Sequence, residues 1–321
     1  MGSYAGQILE PLAGALTVLI PLYWLLCSSA AAVAALDVPG LTTFRDAVTL
    51  AACRGKIMDD RPRGALGPLT NWTVPQRWFW HFYALGTVWN ALVLLAFRPV
   101  QAAYLVNVAP MSRTLLALLA LQSHLTRRLL ETLFLLRYPK DARMHGIAYA
   151  FSITYYLVVP LTLLPPGTYV DTWRALASGL EHLTLLQRAN PDRLLPDALA
   201  ALGDAGFVSC AGLVVFLLGC ALQCWTHVLL AGLARRRHGG APYRIPRGGP
   251  FRFVSCPHYL GEIVIYLGLS LVADWRRSTL WCMCFWVVSN LVLAARLTHA
   301  WYRRQFKTYP PERRALVPFV F

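Results

Sequence analysis

The sequence predicts an all-α integral membrane protein of seven transmembrane helices, with its N-terminus lumenal and its C-terminus cytosolic. Three observations predict it. Of the 321 residues, 57% are hydrophobic and 14% charged, against roughly 25% charged in a soluble domain. Apolar runs approaching the ~20 residues that cross a ~30 Å hydrocarbon layer recur along the whole length. Lys and Arg alternate between the connections: 22 of the 30 fall in segments 37–77, 126–143, 234–257 and 298–321, and seven in 98–113, 165–205 and 273–279. Basic loops stay cytosolic, so this alternation orients the chain. The net charge of +15 lies between apolar spans and not on a soluble face, which excludes nucleic acid as a partner.

Taken in order, the first span, 8–36, lacks a basic n-region and outruns a signal-peptide core, so it reads as a retained helix. It is long enough to tilt, or to break at Pro11 or Pro21. Segment 37–77 contains the sequon Asn71-Trp72-Thr73, which a cytosolic location leaves unmodified. The second span is 78–97. The third, 114–136, is interrupted by Arg127, Arg128 and Glu131, so its membrane part ends near Leu125. The fourth is 144–164. In 165–205 the residues Trp173, Leu176, Leu180, Leu183 and Leu186 recur at three- and four-residue spacing, which predicts an amphipathic helix on the lumenal surface. The last spans are 206–233, 259–272 and 280–297, the sixth being short. Residues 1–321 thus form a single membrane domain. No paired halves with broken helices mark a transporter. Eight cysteines form no C-x-x-C pair, and those in apolar runs behave as small hydrophobes, so neither a disulfide framework nor a metal site is expected.

The stretch from Tyr243 to Glu262, YRIPRGGPFRFVSCPHYLGE, carries the most chemistry. Pro and Gly break any helix before it, after which His258 and Glu262 ride at i and i+4 on one face of an apolar helix. Ionisable groups at membrane depth face a cavity or a partner; the plainer alternative is that these two merely bond each other and lock two helices together. Arg235, Arg236 and Arg237 precede the stretch, Arg244, Arg247 and Arg252 lie within it, and His299, Tyr302, Arg303 and Arg304 close the last span. Guanidinium groups grip phosphate bidentately, so the two clusters suit an anion with several phosphates, although a positive-inside margin also explains them. No G-x-G-x-x-G follows a strand-like segment. A dinucleotide must therefore bind among membrane helices.

The R-I-P-x-G-G and S-x-P-H-Y-L-G-E pattern and the terminal Phe306-Lys307-Thr308-Tyr309-Pro310 and Arg313-Arg314-Ala315-Leu316-Val317-Pro318-Phe319 resemble the C-terminal signature of steroid 5α-reductases. Val74-Pro75-Gln76-Arg77-Trp78-Phe79-Trp80-His81-Phe82-Tyr83, Trp89-Asn90, the Leu129 to Glu131 neighbourhood and His227-Val228-Leu229-Leu230 look like the polyprenol reductase branch. The resemblance is strongest in 74–90 and 224–321. It implies a seven-helix fold in the endoplasmic reticulum membrane, NADPH held by the C-terminal part (206–321) from the cytosolic side, and a long-chain isoprenoid lipid entering from the bilayer. By position, Arg236, Tyr243, Arg244, His258 and Tyr302 match cofactor contacts, and Glu262 belongs to the same signature. His299 joins them, although the family's histidine can fall one residue earlier, at Thr298 here. The tyrosine that polarises a steroid ketone is replaced near Glu131-Thr132, which argues against a steroid as main substrate.

Hydride adds readily only to an alkene conjugated to a carbonyl whose oxygen can take the charge. The expected substrate is therefore polyprenal rather than the allylic alcohol polyprenol, reduced at the α-isoprene unit on the route to dolichol. NADPH would supply the hydride. Candidates for the group that polarises the carbonyl are Glu131, kept protonated by desolvation, or His81 and Tyr83. The plainer readings are a salt bridge from Glu131 to Arg127 or Arg128 and interfacial anchoring by His81 and Tyr83. The rivals are a sibling reductase of a steroid enone or enoyl thioester, an isoprenylcysteine-type methyltransferase using S-adenosylmethionine, and a transporter or scaffold.

Overall fold

The computed structural model describes residues 4–36, 38–60, 67–103, 108–182, 184–235 and 243–321. Its helices are α1 (Tyr4–Leu36), α2 (Thr42–Ala52), α3 (Phe79–Ala103), α4 (Val108–Leu130), α5 (Gly146–Leu163), α6 (Tyr169–Glu181), α7 (Leu185–Ala189), α8 (Leu194–Asp204), α9 (Gly206–Arg235), α10 (Pro257–Asp274) and α11 (Ser278–Gln305). Two short strands, β1 (Thr73–Pro75) and β2 (Arg143–His145), pair antiparallel.

Five of these stretches are long and apolar enough to cross a membrane: Gly14–Leu36, Gln76–Ala103, Gly146–Leu163, Gly206–Ala234 and Ser278–Gln305. The protein is therefore an all-α, multi-pass membrane protein. α4 and α10, where sequence predicts the third and sixth spans, are helical but more polar. Arg127 and Arg128 dilute the first, Glu262 and Asp274 the second. Both are enclosed by neighbours: Leu115, Leu118, Leu121 and Leu125 of α4 and Ile265, Tyr266 and Leu269 of α10 have no exposed surface. A helix wrapped by protein on several sides can carry polar groups that a lipid-facing helix cannot.

α1 runs unbroken past Pro11 and Pro21; each proline removes one donor, and the flanking hydrogen-bond ladder carries the helix across. Its stripe Ile20, Trp24, Ser28, Ala31 and Ala34 is buried, while Val18, Leu19, Leu22, Leu25 and Leu26 stay exposed on the outer face. Trp24 Nε1 donates to Thr162 Oγ1 at 3.0 Å, fixing α1 to α5. Segment 165–205 differs from expectation. It forms three helices, α6 to α8: α6 already ends at Glu181, and after α7 Asn190 turns the chain with a left-handed backbone (φ 47°), a conformation asparagine tolerates. Leu176 and Leu185 are buried against Ala96 of α3, Leu180 and Leu186 remain exposed, and Leu183 lies outside the described residues.

α9 and α10 meet backbone to backbone. Gly212 and Gly219 of α9 face Gly261 and Gly268 of α10; a Cβ on Gly268 would lie 2.4 Å from the Phe216 nitrogen, and one on Gly219 2.7 Å from the Ile265 nitrogen. Small residues permit such close approach between membrane helices. The seam brings the polar positions of both helices, Gln223 and His227 on one and His258 and Glu262 on the other, to one side of the bundle.

At the opposite end the arginines are capped. Arg277 donates to the carbonyls of Thr162 (2.6 Å), Leu163 (2.8 Å) and Leu164 (2.7 Å), where the negative end of the α5 dipole favours a cation. Arg98 is buried and pairs with Asp197 at 2.6 Å.

Candidate active site

α4 ends in a π-helical turn, Glu131–Leu135. Such turns occur mostly as single interruptions at functional places. Here Glu131 is buried among three donors: Oε1 accepts from Arg127 Nη1 at 2.5 Å, and Oε2 from Arg128 Nη1 at 2.5 Å and His227 Nδ1 at 2.7 Å. The carboxylate selects the His227 tautomer that donates to it. Arg127 Nη2 reaches Gln223 Oε1 at 2.6 Å, and the Gln223 amide donates to Glu262. On the other side, Arg128 Nη2 donates to the Tyr83 hydroxyl at 2.8 Å, with its guanidinium 4.8 Å from the Tyr83 ring centre. A charge-assisted chain thus runs from Glu262 on α10 through α9 and α4 to Tyr83 on α3.

This chain borders a cavity of about 400 Å³, within the range of small-molecule sites. One end is basic and aromatic, lined by Arg54, Lys56, Tyr243, Arg244 and Tyr302; the other is apolar and aromatic, lined by Phe151, Tyr155, Tyr156, Trp286 and Leu291. Arg54 and Lys56 come from the segment before β1, which an Arg54–Met144 bridge ties to β2 at the start of α5. Arg54 Nη2 donates to the Tyr259 hydroxyl at 3.0 Å. Burial pushes the Lys56 amine down to about 7 and the neighbouring Cys256 thiol up to about 12, so the thiol is inert at neutral pH.

A family model described as 3-oxo-5-alpha-steroid 4-dehydrogenase matches residues 205–321. Over 318 residues the chain is 31% identical to polyprenal reductase 1 of Arabidopsis thaliana, covering 93% of this chain and 95% of the relative. It is 30% identical to a polyprenal reductase of Caenorhabditis elegans (88% and 87% covered) and 30% identical to one of Danio rerio (76% and 79% covered). The chain belongs to the steroid 5α-reductase family. Among the family's members it matches the polyprenal reductases nearly end to end, so the resemblance read from the motifs is borne out.

The cofactor residues expected from the 5α-reductase resemblance and the candidates for the polarising group separate into two sets. Tyr83, Tyr243, Arg244, His258, Glu262 and Tyr302 all line the cavity. His258 Nδ1 is buried with no hydrogen-bond partner among the described residues. Glu262 does not bond His258; its partners are Gln223 and His124, whose Nε2 lies 3.5 Å away. Helical spacing gave them a common face, and the partners came from other helices.

Three expected residues lie elsewhere. His81 bonds the Tyr149 hydroxyl at 2.9 Å and packs between Trp78 and Trp80, outside the cavity lining. Glu131 stands behind the lining with both oxygens taken, in the arginine pairing that its spacing also allowed. A carboxylate with three donors on it is an acceptor, not a protonated donor. His299 bonds Ser255 Oγ at 2.7 Å, and Ser255 in turn bonds the Tyr309 hydroxyl at 2.6 Å; His299 thus ties down the C-terminal segment, while Thr298 lines the cavity in its place. Arg236 lies outside the described residues. Sequence reasoning missed Arg54, Lys56 and Gln223 as cavity residues. The signal for the first two was the pair Arg54-Gly55-Lys56, read only as topological charge.

Proposed function

We propose that the protein is an NADPH-dependent polyprenal reductase, saturating the α-isoprene double bond of a long-chain polyprenal to give dolichal on the route to dolichol, in the endoplasmic reticulum membrane. The observation that carries this reading is the Tyr83–Arg128–Glu131 array set where a basic, phosphate-suited end of one cavity meets an apolar end suited to an isoprenoid. The names of the relatives, polyprenal reductases of plants, a worm and a fish, support the same substrate.

The donor set fits the dinucleotide. Arg54, Lys56 and Arg244 offer cations for phosphates, Tyr243, Tyr302 and Thr298 offer hydroxyl groups, and the unpartnered His258 Nδ1 awaits a polar group of a ligand, because a buried polar atom left unpaired is costly. Bound there, NADPH would supply hydride for the substrate's β-carbon.

The remaining chemistry belongs to the chain. Arg128 Nη2 occupies the Tyr83 oxygen as an acceptor, which leaves the phenolic hydrogen to be donated to the aldehyde oxygen. The adjacent guanidinium stabilises the negative charge that builds on that phenol and carbonyl as the enolate forms, and uptake of a proton at the α-carbon then completes the saturation and returns the aldehyde. Glu131 holds Arg128 in place from behind, with His227 completing the clamp. Tyr83, Arg128 and Glu131 are all buried, so these dipoles act more strongly than they would in water.

In this reading α4 and α10 complete seven spans, with the basic loops and the C-terminus cytosolic and the N-terminus lumenal. Absence of a glycan on Asn71 in microsomes is the expected outcome; a glycan would put the basic mouth on the wrong side. Activity is tested with purified protein in detergent, NADPH, and polyprenal, polyprenol or testosterone in separate reactions, with NADPH oxidation and saturated product both followed. Turnover of polyprenal and its loss by about 10²-fold in Tyr83→Phe, with NADPH affinity unchanged, is expected for a lost proton donor. Turnover of the steroid alone would overturn the substrate.

A further inference from the structure

The segment before β1 supplies a cation that the arginine-rich 234–257 stretch does not explain. Lys56 Nζ sits 3.6 Å above the centre of the Tyr302 ring and 5.1 Å from that of Trp301. Lys56 is half-buried and lines the cavity. Its other ionisable neighbours are Arg54 on its own segment, Cys256, His258 and Tyr259 at the start of α10, and Tyr302 on α11. None of these is a carboxylate, and among the described residues no carboxylate pairs with the amine. Ring faces attract a cation, but by less than enclosing an ammonium costs. An anion in the cavity would close that gap.

The anion is identified by position. The α11 lining runs from Trp286 to Tyr302, about 24 Å at 1.5 Å per residue. Lys56 faces the Tyr302 end inside the wall, with Thr298 one turn deeper, while Arg244 is exposed at the outer rim. A dinucleotide with its reactive end toward Tyr83 and its adenosine end at Arg244 must pass its two central phosphates beside Lys56. Resting on the reading of the cavity as a dinucleotide site, we propose that the Lys56 ammonium is a ligand of the cofactor pyrophosphate, so that the segment before β1 completes a site otherwise built by the C-terminal half.

The chemistry predicts a pH signature. The free amine is depressed from its ordinary value to about 7 by burial. Below pH 7 it is already charged and affinity is flat. As pH rises from 7 to 9 the amine is neutral before binding, so binding must take up a proton and Kd rises by up to about tenfold per unit. An arginine at this position stays charged and removes the slope.

The test is direct binding of NADPH and NADH to the full-length protein in detergent, followed by tryptophan quenching at pH 6, 7.5 and 9, with thermal melting in parallel. At pH 6, Lys56→Met is expected to raise both Kd values by the same factor of at least about ten, and to abolish the slope at higher pH. Lys56→Arg is expected to keep the pH 6 affinity with no slope. Unchanged affinities in a folded Lys56→Met, or a wild-type slope in Lys56→Arg should the methionine variant melt early, would overturn the proposal. A loss confined to NADPH would move the amine to the 2′-phosphate and also overturn it. If the wild-type protein binds neither dinucleotide, the dinucleotide reading of the cavity fails first, independently of position 56.

Discussion

The two ends of the helix bundle treat positive charge in opposite ways. At the end formed by α5 and α8, Arg277 is capped by three carbonyls and Arg98 by Asp197. At the cavity end, Lys56 rests on aromatic rings and His258 Nδ1 has no partner, although Arg127 and Arg128 beside them are tied to Glu131. Charges satisfied by the chain hold the fold. Charges the chain leaves unsatisfied mark where a ligand must finish the job, because desolvated polar groups are not left unpaired without cause.

Three substitutions probe that contrast. The largest effect is expected for Arg128→Met, which strips the clamp from Glu131 and the donor from Tyr83. Glu131 keeps Arg127 and His227, so the stability lost is that of a charged hydrogen bond, about 1.5–3 kcal/mol, while polyprenal turnover should fall by about 10³-fold or more. Near-normal turnover would mean that the Tyr83–Arg128 contact is ornamental. Next comes Arg277→Met at the capped end: about 2 kcal/mol of stability lost with the charged hydrogen bonds, read as a lower melting temperature, while the NADPH affinity of the folded protein stays level. A change in affinity there would erase the distinction between the ends. The smallest is His258→Ala, for which NADPH Kd should rise about tenfold, near 1.4 kcal/mol, with melting held; an unmoved Kd in a folded variant removes His258 from the site.

Sequence revealed what depends on local pattern. Apolar length placed the helices, and the i, i+4 spacing put His258 and Glu262 on one face. Pattern does not name partners. Glu131 found His227, 96 positions away, and Glu262 found Gln223 and His124, because which helices lie side by side is set by packing. Lys56 escaped for the same reason: it comes from a connecting segment, and only the β1–β2 pairing and the packing of that segment reveal that it reaches α11. Segment 165–205 failed in another way, since its three- and four-residue spacing from Trp173 to Leu186 continues across the break between α6 and α7, which periodicity alone does not register.

The glycine seam between α9 and α10 also constrains motion. With backbone lying on backbone there are no long side chains to re-seat, so these two helices can slide or tilt only as one rigid pair. Room for a bulky product to leave must then come from the opposite wall, by movement of α11 or of the strap carrying Arg54 and Lys56. The α9–α10 pair would serve as the anvil, and the wall facing it as the moving jaw.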